Sequence, residues 1–166
     1  MEECMNYKLI GCVVMLLAIL GFPASAATVS FLVVETGIER GIPATNFGTT
    51  WEDGLMTSFF DAGYIVTNNP ILRVEERPER NLTGILRFEF YDALEGGADY
   101  FVMCFIDHEL QGRRAVPVSV TVQKYRTSTQ ELIFEQNFPV GNAQAQSVIL
   151  RNAQDAGRII AAQINR

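Results

Sequence analysis

The chain has 166 residues, 48% of them hydrophobic, with 19 acidic against 13 basic side chains and a formal net charge of −6. That composition belongs to a folded domain rather than a disordered tail. Its negative balance works against nucleic acid and anionic membrane surfaces as partners, since their phosphates would be repelled.

In chain order the first element is an export signal. Residues 9–22 are almost wholly apolar and are followed at once by Pro23-Ala24-Ser25-Ala26-Ala27, an apolar core and then small residues that a signal peptidase can seat. A run of about 14 residues is shorter than the ~20 needed to span a bilayer, so the segment reads as a cleaved signal rather than an anchor. Met5 offers a second start that leaves Met5-Asn6-Tyr7-Lys8 as a short basic n-region. Cleavage near Ala26 predicts residues 1–26 as signal peptide and residues 27–166 as one exported, periplasmic domain of 140 residues with a net charge of −5. That length suits a single hydrophobic core. Contact with a membrane is expected only through the signal segment before cleavage.

Of Cys4, Cys12 and Cys104 only Cys104 survives such processing, inside the apolar run Phe101-Val102-Met103-Cys104-Phe105-Ile106. A single remaining cysteine excludes an intramolecular disulfide and a cysteine-based metal site; Cys104 reads as a small core hydrophobe. Asn81-Leu82-Thr83 fits a glycosylation acceptor pattern, which carries little weight in a chain of bacterial style.

Residues 28–35, β-branched and nearly continuous in apolar side chains, predict a strand covered on both faces. After a Gly- and Pro-containing loop, Thr49 and Glu52 stand at capping-box spacing, so a helix is expected to begin there. Trp51, Leu55, Phe59 and Ala62 recur at helical spacing with Met56 and Phe60 beside them, and Gly63 is placed to end the helix in a left-handed conformation. Residues 64–67 predict a short strand closed by Asn68-Asn69-Pro70. The charged residues 73–80 read as a solvated connection to a helix over about 81–94, with Leu82, Ile85, Leu86, Phe90 and Ala93 on one side and Gly96-Gly97 as its stop.

Residues 99–106, the most apolar of the mature chain, predict a central strand. Val116, Val118, Val120 and Val122 alternate with Pro117, Ser119, Thr121 and Gln123, the pattern of a half-exposed antiparallel strand that Pro117 leaves weakly paired at its start. Residues 127–130 turn the chain into a partner strand over 131–138. A last helix from near Asn142 carries Ile149, Ala153, Ala156, Ile160 and Ile164 on one face. The prediction is a single α/β domain with a mixed β-sheet and the order β-α-β-α-β-β-β-α, built in two or three layers.

Chemistry-bearing motifs are scarce. Asp107-His108-Glu109, holding the one histidine, stands at the exit of the central strand, where open α/β sheets place their sites. Three titratable groups there could bind a metal or move protons, and a small periplasmic ligand-binding protein or enzyme would use this strand exit. Alternation along a strand sends His108 to the face opposite Asp107 and Glu109, poor geometry for three metal ligands. No serine lies in a Gly-x-Ser-x-Gly elbow. Gly37-Ile38-Glu39-Arg40-Gly41 lacks the spacing and lysine of a phosphate loop. Scattered carboxylates such as Glu35, Asp53, Asp61, Glu75 and Glu76 do not by themselves make a glycosidase pair. The expectation is therefore no catalytic residue, no metal and no cofactor.

The aromatic concentration of Trp51, Phe59, Phe60 and Tyr64 packs the first helix on the sheet or, where its rings reach the surface, anchors a protein partner. Phe47, Trp51 and Tyr64 are the candidate binding residues, framed by the long loop before the helix.

The opening strand Val29-Ser30-Phe31-Leu32-Val33-Val34, the helix ending at Gly63 before Tyr64-Ile65-Val66, the central Ala98-Asp99-Tyr100-Phe101-Val102, the Val-rich hairpin and the terminal helix together resemble a group of bacterial envelope domains. The group includes the outer-membrane activators of penicillin-binding proteins, the N-terminal domain of the Tol-system propeller protein and the periplasmic part of the curli secretion channel subunit. The resemblance implies a non-enzymatic role, binding another envelope protein in assembly or in regulation of cell-wall synthesis. Many of these proteins are lipoproteins. This chain departs from them, because Cys12 stands at the beginning of its apolar run rather than after it.

Overall fold

The computed structural model describes residues 26–39, 45–75, 84–140 and 145–163. The signal segment before Ala26, the acceptor pattern at Asn81, and the expected helix positions Leu82, Asn142 and Ile164 lie outside the described residues. The first strand, β1 (Thr28–Thr36), is buried from Val29 to its end, as a β-branched apolar run between two helical layers must be. It is followed by α1 (Phe47–Asp61), β2 (Ile65–Asn68), β3 (Leu72–Val74), α2 (Ile85–Glu95), β4 (Tyr100–Gln111), β5 (Arg114–Arg126), β6 (Glu131–Phe138) and α3 (Gln146–Ala162).

These elements form one mixed sheet, in the order β2-β1-β4-β5-β6 with β3 also on β1. β2, β3 and β4 are parallel to β1, while β5 and β6 are antiparallel to the strands before them. The chain passes to one side of β1 through α1 and back to the other side through α2, so crossovers of one hand put these helices on opposite faces. On the first face, Phe31, Val33, Val102, Cys104 and Val122 pack against α1 and α3. On the second, Leu32, Val34, Phe101, Met103 and Phe105 pack against Leu86, Phe90 and Ala93 of α2. The domain is an α/β sandwich of three layers.

The expected order holds with one added strand. Arg73 and Val74, expected in a solvated connection, belong to β3, because Arg73 lies opposite Glu35 on β1 and pairs with it. α1 begins two residues earlier than its capping box, at Phe47. Asn46 is its N-cap without a side-chain cap bond, and Glu52 instead accepts a hydrogen bond from Asn68. β5 is partly exposed over residues 116–119, as expected, but covered on both faces from Val120, where Thr121 and Gln123 are buried and bonded to Asn137 and Glu135 of β6. A side chain that alternates out of one core enters another layer when both faces are covered.

Candidate functional site

Gly63 is the turning point of the first candidate region. Its φ of +89° is a conformation that glycine adopts at little cost. Its N–H bonds to the Phe60 carbonyl at 2.9 Å, and the Tyr64 N–H bonds to the Phe59 carbonyl at 3.1 Å. This is the paired bonding of a Schellman motif, and it comes with the apolar contact that usually attends one, Tyr64 lying 5.5 Å ring to ring from Phe59. The turn thus holds Tyr64 half-buried with its hydroxyl toward the Ala161 carbonyl of α3. The residues on either side face outward: Phe60 is 68% exposed and Ile65 54%.

Of the residues predicted to bind a partner, Phe47 and Trp51 are buried. Trp51 lies between Phe47 and Phe138, at 6.3 and 6.1 Å from their ring centroids. Both rings fasten the start of α1 to the sheet, and in this domain neither offers area to a partner. Tyr64 is brought beside Ile65 and Phe60. Ile65 was missed because its apolar side chain reads as core. It is exposed because β2 is an edge strand and Ile65, opposite Thr28, points to the face that α1 does not cover.

A second region lies at the carboxyl ends of β1, β3 and β4. Glu35, fully buried, accepts from Arg73 Nε at 2.8 Å. Its other oxygen rests against Gly48 in the first turn of α1, so close that a Cβ there would stand 2.5 Å away. The positive end of the helix favours this carboxylate. Thr36 and Ser119 donate to the two oxygens of Asp107 at 2.8 and 2.5 Å. His108, buried, donates from Nδ1 to the Thr36 carbonyl at 3.1 Å, an assignment that follows because a carbonyl only accepts. Its Nε2 has no hydrogen-bond partner among the described residues. Glu109 is exposed. The three residues of the strand exit therefore do not converge, and the described residues hold no group of three metal-ligating side chains. Cys104 is buried, and burial pushes its thiol far up, away from the reactive thiolate.

The fold and these sites define a three-layer α/β domain with an apolar corner at one sheet edge. A family model described as "Uncharacterised protein" matches residues 39–143, and the chain belongs to that family. No curated protein matches it in sequence. Among solved structures the fold is similar to that of the PelC dodecamer from Paraburkholderia phytofirmans, at 13% identity and a TM-score of 0.51 over 83% of this chain and 88% of the other. TolB from Acinetobacter baumannii is similar at 15% identity and a TM-score of 0.42, over 86% of this chain and 28% of the other. The LpoB C-terminal domain from Salmonella enterica gives 17%, 0.40, and coverages of 74% and 90%. Among the described residues no helix is long and apolar enough to cross a membrane.

Proposed function

We propose that this domain works in the periplasm by binding another envelope protein, in assembly rather than in catalysis, and that the binding surface is the corner where α1 turns into β2. The observation that carries this reading is the exposure of Phe60 and Ile65 on either side of the Gly63 turn. A phenylalanine and an isoleucine left in water next to an edge strand cost free energy that burial in an interface recovers. β2 itself, Ile65-Val66-Thr67-Asn68, carries neither charge nor proline, the usual guards of a sheet edge. Tyr64 contributes from the rim, while Phe47 and Trp51 support the corner from within by holding α1 in place. Similarity in fold to PelC, a dodecamer in its solved form, agrees with a role in assembly.

The test is crosslinking in the envelope of the source cells with Phe60→Ser and Ile65→Thr combined. The expected result is loss of the crosslinked partner while the thermal midpoint stays within about 3 °C of the parent, as befits exposed positions. Retention of the same partner at the same yield would remove this corner as the binding surface.

A further inference from the structure

β4 and β5 outrun the rest of the sheet. β1 pairs with β4 only as far as Asp107, and β6 pairs with β5 only from Val120 onward. In the sheet ladder residues 108–111 consequently pair with residues 114–117 alone, while the His108 side chain also bonds to the Thr36 carbonyl. At ~3.3 Å per residue this two-stranded arm runs roughly 13 Å past the last residues that pair with β1. His108 and Ala115 are buried at its base and middle, and among the described residues the rest of the arm has no further strand paired with it; an edge of this kind can pair with another chain. Leu110 and Val118 are 40% and 42% exposed on the arm, and its tip carries exposed Arg113 and Arg114. Neither arginine has an ion-pair partner among the described residues.

The opposite end of the molecule has complementary charge. All three helices finish there: α1 leads into Ile65, bonded to Ala27, α2 into Asp99, bonded to Thr28, and α3 ends beside Tyr64 and Lys124. Helix carboxyl ends carry partial negative charge. Asp61, Asp92, Glu95 and Asp99 are exposed at this end, beside Phe60 and Ile65. One end of the domain thus presents apolar side chains under two arginines, with Glu109 also exposed on the arm, and the other presents apolar side chains among four exposed carboxylates, with Arg126 there paired to Glu131.

We propose that the arm of one copy docks on the acidic end of a second copy, with Arg113 and Arg114 against those carboxylates and Leu110 and Val118 near Phe60 and Ile65. This rests on the reading of the α1–β2 corner as a docking surface and names a second copy as its occupant. Because the two surfaces differ, the contact is head to tail and can repeat from copy to copy, closing into a ring or running on.

Sedimentation velocity of the exported protein, from about 1 to about 300 µM at low salt, tests the proposal. The parent should self-associate with concentration. R113E combined with R114E should weaken association at least about tenfold, as should D61R combined with E95R. All four changes in one chain restore opposite charges and should recover most of it. A parent that stays monomeric throughout, reversed arms that associate like the parent, or a charge swap without rescue would each overturn the proposal. If the parent is monomeric but the Phe60/Ile65 variant still loses its crosslinked envelope partner, self-assembly fails and the docking corner stands. If that variant also keeps its partner, both fall.

Discussion

Lys124 shows how far a single residue can depart from its ordinary setting. Its side chain is buried between the sheet and α3, donating to the Ile160 carbonyl at 3.2 Å with the ammonium 5.6 Å from the centre of the Tyr100 ring. The last turn of α3 has a carbonyl to satisfy and a negative dipole end, so a cation is suited to that place. Burial nevertheless disfavours the charge and lowers the lysine from 10.5 to about 8. Since the folded value lies below the unfolded one, the folded state releases its proton first as pH rises. Stability contributed by this group must therefore increase between about pH 8 and 10. Urea denaturation from pH 7 to 9.5 should show the parent gaining about 2 kcal/mol relative to Lys124→Met, in which that gain is missing. Parallel curves for the two proteins would mean that the ammonium is solvated. Glu35 makes the complementary case: a carboxylate in an apolar strand is paired with Arg73 across the sheet, while its other oxygen, beside Gly48, has no hydrogen-bond partner among the described residues. Removing Arg73 would leave a buried charge unpaired, the costly way to break such a pair.

Among the elements, α1 and α3 are joined by absent side chains. At Gly54 a Cβ would stand 2.5 Å from the Ala153 Cβ, and at Gly157 it would stand 2.6 Å from the Ser58 Cβ. Glycine inside a helix costs up to ~1 kcal/mol relative to alanine, a cost offset here by the close approach of two helices. Ser58 adds a hydrogen bond to the Gln154 carbonyl at 2.8 Å across the same crossing. Gly157→Ala should accordingly destabilise the domain by about 1–3 kcal/mol despite its better helix propensity. Arg158→Ala next to it, which breaks only a surface pair with Asp155, should change stability by less than about 0.5 kcal/mol. Equal urea midpoints for Gly157→Ala and the parent would show that the crossing is looser than described. The helical spacing of Trp51, Leu55 and Phe59 and of Ala153, Ala156 and Ile160 was legible in the sequence, and all six are buried. Which helix meets which was not, because period locates an apolar face without naming what covers it.

Across the whole molecule, stability is graded along the sheet. The middle of β4 is paired on both sides and packed between helices on both faces, whereas the arm beyond Asp107 is paired on one side only. Amide exchange in a dilute sample should therefore run at least ~100-fold faster at residues 109–111 and 114–116 than at residues 102–106. Exchange in the arm as slow as in the centre of β4 would mean that the arm is held by the rest of the domain. An acidic domain with the arginines Arg113 and Arg114 at the tip of its least supported segment has its charge placed where it steers an encounter rather than where it stabilises a fold.

The sequence by itself determined the α/β class, the extent of β1 and β6 to within a residue, the glycine stops of α1 and α2, and the burial of Cys104, because each depends on local period and turn chemistry. It also contained the aromatic cluster around α1, though not the sorting of Trp51 to the core and Phe60 to the surface. That sorting, the pairing of Glu35 with Arg73 and the overhang of the β4–β5 arm were decided only by tertiary structure. Each depends on which strands lie side by side and where their ends fall, a relation between residues tens of positions apart that no local pattern encodes.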